Sequence, residues 1–116
     1  MKQIKAVLGI SGVYSEVHAW QCKADLEAGI SGSQIDLLIV RRNHVINVCE
    51  MKYSEENYTV SEEFSRDQRR KITDFRLKTH SKEAIQSILI TTNEVIDNAY
   101  ANELQAIITA KDLFVN

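Results

Sequence analysis

No apolar run in this sequence approaches the roughly 18 residues that a membrane-spanning helix needs. The opening Met-Lys-Gln-Ile-Lys is followed by no signal-peptide core or cleavage site. Cysteine is scarce. Cys22 and Cys49 form no CxxC, and His18, His44 and His80 have no metal-like spacing, which argues against a zinc site and a disulfide framework. Basic charge is not in excess: 14 Lys and Arg face 16 Asp and Glu, for a net charge of −2. A uniformly basic nucleic-acid binder is thereby excluded, although a local basic patch is not. Ser11, Ser15 and Ser54 lack a paired base, so acyl-transfer chemistry finds no support. These absences lead us to expect a soluble, cytoplasmic chain with reduced thiols.

What is present fits one domain. At 116 residues and 44% apolar composition the chain can bury a core without a disulfide or structural metal. Ile4, Val7 and Leu8 share one stripe of a short opening helix, Met1 to Leu8, with Gly9 as its stop. A strand of mixed character follows from Gly12 to Trp20, with Tyr14 and Trp20 as core or rim aromatics, and then a polar loop from Gln21 to Ser33. Two strands, QIDLLIVR at 34–41 and VINVCEMK at 45–52, are rich in Ile, Val and Leu and joined by a short polar turn. Ser61 is an N-cap ahead of Glu62 and Glu63, opening a helix that runs to about Thr79 with Phe64, Gln68, Ile72 and Phe75 on one stripe. Two more strands, Ala84 to Thr91 and Leu104 to Thr109, precede a short helical turn through Asp112 and Phe114. The predicted order is α-β-β-β-α-β-β, an α/β fold whose mixed sheet is covered on one face by the long helix.

Side chains alternate along a strand, which places Gln34, Asp36, Leu38 and Val40 on one face and Ile46, Val48, Glu50 and Lys52 on one face of the next strand. A three-residue loop at Arg42 to His44 sets Asp36 opposite Glu50. Cross-strand neighbours have Cβ atoms about 4.5–5.5 Å apart, and Lys52 lies two residues further on. Opposed carboxylates repel and call for a cation. A hard divalent ion, Mg or Mn, bound by carboxylate oxygens and a backbone carbonyl, answers that need; it would polarise a phosphodiester while a nearby ammonium steadies the developing charge. The alternative is that Asp36 is an outward edge residue and that Glu50 and Lys52 are solvated residues at a strand end.

The Asp36 strand followed by Glu50-Met51-Lys52 resembles the bipartite signature of the PD-(D/E)xK nuclease superfamily. More narrowly, SGSQIDLLIVRRNHVINVCEMKYS resembles the C-terminal nuclease-like domain of a group of prokaryotic AAA-type ATP-binding proteins, a resemblance that covers nearly the whole chain. It implies a restriction-endonuclease-like core, with Asp36, Glu50 and the Met51 carbonyl as metal ligands and Lys52 orienting the water. It also implies DNA as a substrate, and an ATPase domain in the same natural chain, of which 1–116 is a C-terminal fragment lacking part of its first helix. This chain has no GxxxxGK[ST] loop of its own. Superfamily members often carry a Glu on the helix before the first strand, whereas Met1 to Leu8 holds no acidic residue and the nearest, Glu16, falls on the strand.

Arg69, Arg70 and Lys71 sit in the one basic concentration of the chain, alongside Arg66, Arg76, Lys78 and Lys82, and are candidates for phosphate contacts. A solvated helix face is the plainer reading of that concentration. Gln68, on the apolar stripe, faces the sheet and is a candidate accessory residue of the site; a hydrogen bond to backbone would equally satisfy it. Two functions follow: a divalent-metal-dependent DNA endonuclease domain, or a catalytically inactive nuclease-fold module for regulation or partner binding, favoured by the missing helical Glu and the net negative charge.

Overall fold

The computed structural model describes residues 15–113. The predicted helix from Met1 to Leu8 lies outside them, as do Tyr14 and Phe114. Three strands come first: β1 (Ser15–Cys22), β2 (Ser33–Arg41) and β3 (Val45–Lys52). The long helix α1 (Glu62–Thr79) leads to β4 (Ala84–Thr91), a 3-10 turn (Ala101–Glu103), β5 (Ala106–Thr109) and a short helix α2 (Ala110–Leu113). The described residues thus run strand first, where the sequence predicts a helix ahead of β1. They form an α/β fold with one five-stranded sheet in the order β1-β2-β3-β4-β5. β1, β2 and β3 are antiparallel neighbours, and β4 and β5 add in parallel. The mixed sheet follows from the connections, since a hairpin turn reverses the chain after β2 and the α1 crossover returns it in the same direction after β3.

The hairpin has the predicted register. Arg41 pairs with Val45 across a loop of Arg42, Asn43 and His44, and the ladder continues to Leu37 opposite Cys49. His44 closes the loop at φ 67°, the left-handed conformation that a three-residue hairpin needs at its last position. Its carbonyl then accepts from the Ala84 amide at 3.2 Å, which fixes where β4 begins.

One strand departs from simple alternation. His18 pairs with Leu38 but Trp20 pairs with Ile35, so Asp36 and Leu37 together oppose the single residue Ala19. This is a β-bulge, and its effect is visible in the packing. Ile35 and Leu38 share a cluster with Val48 and Phe75, while Leu37 and Ile39 pack on the other face with Cys49, Ile88 and Ile108. The single face predicted for Gln34, Asp36, Leu38 and Val40 therefore breaks at Asp36, because one extra residue shifts the parity of everything on one side of it.

α1 begins where Ser61 accepts from the Phe64 amide at 3.0 Å, with Glu62 and Glu63 in its first turn. It ends at His80, which takes φ 57° and donates its amide to the Arg76 carbonyl. Phe64, Gln68 and Phe75 are buried, and Ile72 packs beside them, which is the predicted stripe. Phe75 meets Trp20 edge-on at 5.2 Å between ring centroids. β1 runs to Cys22 rather than Trp20 because its ladder continues until Cys22 pairs with Ser33. β5 starts at Ala106 rather than Leu104 because the 3-10 turn before it holds the Leu104 amide to the Ala101 carbonyl. Among the described residues no helix is long and apolar enough to cross a membrane.

The loop between β1 and β2 is fastened to α1 by Asp74, which is 2% exposed. Its carboxylate accepts from the Ser31 amide at 3.1 Å and from the hydroxyls of Ser31 and Ser33. Burial pushes the Asp74 carboxyl up, but the bonds from Ser33 and Ser31 and the charge of Arg70 outweigh it and hold the group below its ordinary 3.8. A depressed carboxyl adds stability that is fully present above 3.8 and is lost as pH falls through the lower folded value. Asp74→Asn is expected to cost about 1.5–3 kcal/mol at pH 7, the range for hydrogen bonds to a charged group. Urea unfolding at several pH values checks this: the deficit must shrink below pH 3.8, and a constant deficit would refute the assignment.

Candidate active site

β3 carries a buried run from Ile46 to Cys49, apolar but for Asn47, and then places a carboxylate, Glu50, in the same buried environment at 3% exposure. Glu50 shares a face of the sheet with Val48, which packs against Phe75 of α1, so the helix keeps water from reaching the group freely. The hairpin ladder stops at Leu37 and Cys49. Beyond it the bulge turns Asp36 out of backbone pairing, and the side chain reaches across instead: Asp36 Oδ2 accepts from the Met51 amide at 3.1 Å. Asp36 and Glu50 thus come together as the hairpin register predicts, through a carboxylate that replaces a ladder bond rather than through a regular cross-strand pair.

A cation already meets this pair. Lys71, on α1, donates to Glu50 Oε1 at 2.9 Å, with side-chain exposures of 17% and 5% for Lys71 and Glu50. Burial pushes the Glu50 carboxyl up, Lys71 pulls it down, and Asp36 pushes it up again, leaving it above its ordinary 4.5. Burial likewise pushes the Cys49 thiol, the next residue, up to about 12, with the Glu50 charge adding to the effect. Lys52, the lysine of the Glu-x-Lys spacing, is exposed at the end of β3, and its Nζ lies 5.8 Å from the centroid of the Phe64 ring.

The basic residues of α1 do not share one direction. Successive helical residues are turned by about 100° from one another, so three in a row cannot line one face. Arg69 pairs with Glu103 at 3.6 Å, and Arg70 donates to the Gly32 carbonyl at 2.6 Å and lies 3.5 Å from Asp67. Lys71 alone enters the carboxylate site. The spacing of Phe64, Gln68, Lys71 and Phe75 places Lys71 on the inward side of the helix, a signal masked by its basic neighbours. Gln68 is 5% exposed, and neither its amide nitrogen nor its amide oxygen has a partner among the described residues. Glu16 is exposed, pairs its backbone with Val40 and lies 3.5 Å from His18, toward the opposite end of the β1–β2 ladder from Asp36.

Oxygen donors from Asp36 and Glu50, with the Met51 carbonyl next in sequence after Glu50, fit the preference of Mg or Mn for hard ligands. Among the described residues no group of three or more His, Cys, Asp and Glu side chains converges. The pair nevertheless carries two carboxylates to one ammonium, and Lys71 and an incoming metal would share the Glu50 carboxylate.

Lys71→Met leaves the Glu50 charge beside Asp36 without its cation. We expect a loss of about 3–5 kcal/mol near neutral pH, the range for breaking a buried pair by removing one partner. Adding Glu50→Gln recovers most of it. Because the Glu50 carboxyl is raised, its charge opposes folding above that raised value, and the opposition fades as pH falls toward 4.5. The deficit must therefore narrow on acidification, and a variant as stable as the parent at pH 7.5 would show that the pair carries no weight. The thiols give a second check. A disulfide reagent should modify the half-buried Cys22 in the native protein and the buried Cys49 only upon unfolding; equal native rates would contradict the burial of Cys49.

No family model matches this chain, and no curated protein or solved structure matches it either, so the chemistry of the site rests on its residues.

Proposed function

We propose that this chain is a divalent-metal-dependent phosphodiesterase domain of the PD-(D/E)xK type, acting on DNA. The observation that carries the reading is the meeting of the Asp36 and Glu50 carboxylates on neighbouring strands, one of them buried. Strand order supports it: an antiparallel β1-β2-β3 meander, a helix, and β4 parallel to β3 put the two carboxylates at one end of the central strands. The resemblance of QIDLLIVR and Glu50-Met51-Lys52 to the superfamily signature, and of the longer segment to nuclease-like domains on AAA-type ATP-binding proteins, adds the substrate class and an attached ATPase as a partner.

Asp36, Glu50 and the Met51 carbonyl would hold the ion. Mg or Mn bound there would polarise a phosphodiester and lower the pKa of a coordinated water. Glu50 gives the site a buried charge that only Lys71 compensates among the described residues, and Asp36, nearer to solvent, gives a ligand that can exchange. Lys52, exposed two residues beyond Glu50, is placed to steady negative charge on a phosphate. Lys71 holds the Glu50 carboxylate in one orientation.

A second reading has its own observation. Lys71 already supplies the cation that the carboxylates call for, while Lys52 rests over Phe64. A site neutralised in this way suits an inactive nuclease-fold module that binds a partner. Incubation of the protein with plasmid and linear DNA in millimolar MgCl2 or MnCl2 distinguishes the two. The phosphodiesterase reading expects metal-dependent cleavage, lowered by at least about a hundredfold in Glu50→Ala and Asp36→Ala, each loss exceeding roughly 2.7 kcal/mol of transition-state stabilisation. Calorimetry should show Mn binding that Asp36→Ala weakens. Neither cleavage nor metal binding at millimolar Mn would overturn the reading in favour of the inactive module.

A further inference from the structure

A cleft of about 730 Å³ opens between the end of β1, the start of β2 and the middle of α1. It lies at the end of the sheet that carries Asp36 and Glu50, and two features join it to them. Lys71 is both a wall of the cleft and the donor to Glu50 Oε1 at 2.9 Å. Gln34, another wall, stands two residues before Asp36 on β2, which is about 6.5 Å of strand. A chain lying in the cleft therefore arrives at the carboxylate pair.

Resting on the phosphodiesterase reading, we infer that this cleft holds the DNA backbone on one side of the scissile phosphate, with Lys23 and Arg70 as its phosphate contacts. A phosphodiester held at Asp36 and Glu50 is one link of a polyanion, and the neighbouring phosphates must lie against the protein or in solvent. Lys52 stands over Phe64, which packs with Leu89 of β4, whereas the cleft is on the side of β1 and β2, so the two flank the carboxylates. In a chain of net charge −2, the cleft gathers three cations, Lys23, Arg70 and Lys71, against one carboxylate, Asp67. Lys71 is committed to Glu50. Lys23 is exposed and enters no ion pair among the described residues. Arg70 is anchored by its bond to the Gly32 carbonyl at 2.6 Å, and it lies 3.5 Å from Asp67. Those two side chains are 40% and 56% exposed, and an ion pair so open to water contributes little. The guanidinium has five N–H donors in a fixed fork, so one bond to a carbonyl leaves others for a phosphate. The exposed carboxamides of Gln21 and Gln34 add neutral donors of the kind that meet phosphate and sugar oxygens.

Fluorescence anisotropy of a dye-labelled DNA duplex, titrated with the protein in metal-free buffer from about 50 to 200 mM salt, tests this. The parent should bind with a dissociation constant of about 1–100 μM. Lys23→Gln should weaken binding about two- to fivefold, the range for one exposed ion pair. It should also flatten the dependence of log K on log salt by about 0.9, the contribution of one phosphate. Arg70→Gln should do the same; where a melting curve shows that it does not fold, Lys23→Gln alone decides. Lys82→Gln makes the same change of charge at an exposed lysine outside the cleft and should leave the slope unchanged. No binding at the lowest salt, a slope for Lys23→Gln equal to the parent's, or equal losses in Lys23→Gln and Lys82→Gln would each overturn the assignment. Cleavage by the parent in MnCl2 with KM unchanged in Lys23→Gln would remove the cleft and leave the phosphodiesterase reading standing. Binding that depends on Lys23 without cleavage would remove that reading and keep the cleft as a DNA site.

Discussion

A carboxylate with almost no access to water sits at the end of the central strand, and much of the surrounding structure serves to accommodate it. Glu50 is flanked by β2 and β4 and follows four buried residues, so it cannot be hydrated as a surface glutamate would be. Alone it would be very costly. Lys71 answers from the helix above, and the contact ties α1 to β3 at a fixed position along the strand. Helix docking and charge compensation are therefore one interaction. The docking is reinforced about one turn further along α1 by Asp74, which binds the loop leading into β2 through Ser31 and Ser33. The strand that carries Asp36 is thus held at its start by one carboxylate of α1, while the strand that carries Glu50 is held by an amine of the same helix.

The bulge at Asp36 and Leu37 resolves a conflict. Ile35, Leu37, Leu38 and Ile39 are all buried, and strict alternation cannot bury such a run against both faces while keeping Asp36 near Glu50. An extra residue on β2 lets Ile35 and Leu38 face α1 while Leu37 and Ile39 pack on the other side. Asp36, freed from the ladder, uses its carboxylate to satisfy the Met51 amide that β2 would otherwise have met with a carbonyl. The same irregularity that packs the core thus aims the acid.

The strands from Val45 to Lys52 and Ala84 to Thr91 and the helix from Glu62 to Thr79 were legible because their signals are local: β-branched runs, a serine cap, a stripe at helical spacing. The hairpin register was legible because the loop length fixes it. The bulge was not, since it depends on how β1 pairs with β2, and β1 is the strand with the weakest pattern. The role of Lys71 was hidden for a related reason. Charge suggested a basic face, while helical geometry separates Arg69, Arg70 and Lys71 into three directions, with only the last turned toward Glu50. The Asp74 network was missed altogether, because serines 41 and 43 positions away carry no sequence mark of their partner.

Two lysines now bear on one carboxylate pair, and their positions assign them different tasks. Lys71 is largely buried and already bonded, so removing it disturbs the fold before it disturbs any chemistry. Lys52 is exposed at the strand end and, among the described residues, held by the weak attraction of the Phe64 ring, so it could turn toward a phosphate at little cost. A metal entering between Asp36 and Glu50 would take over part of the neutralisation that Lys71 provides. The ammonium and such a metal would therefore compete at Glu50, and the strength of the pair would set a lower limit on how firmly the ion must bind to hold its place.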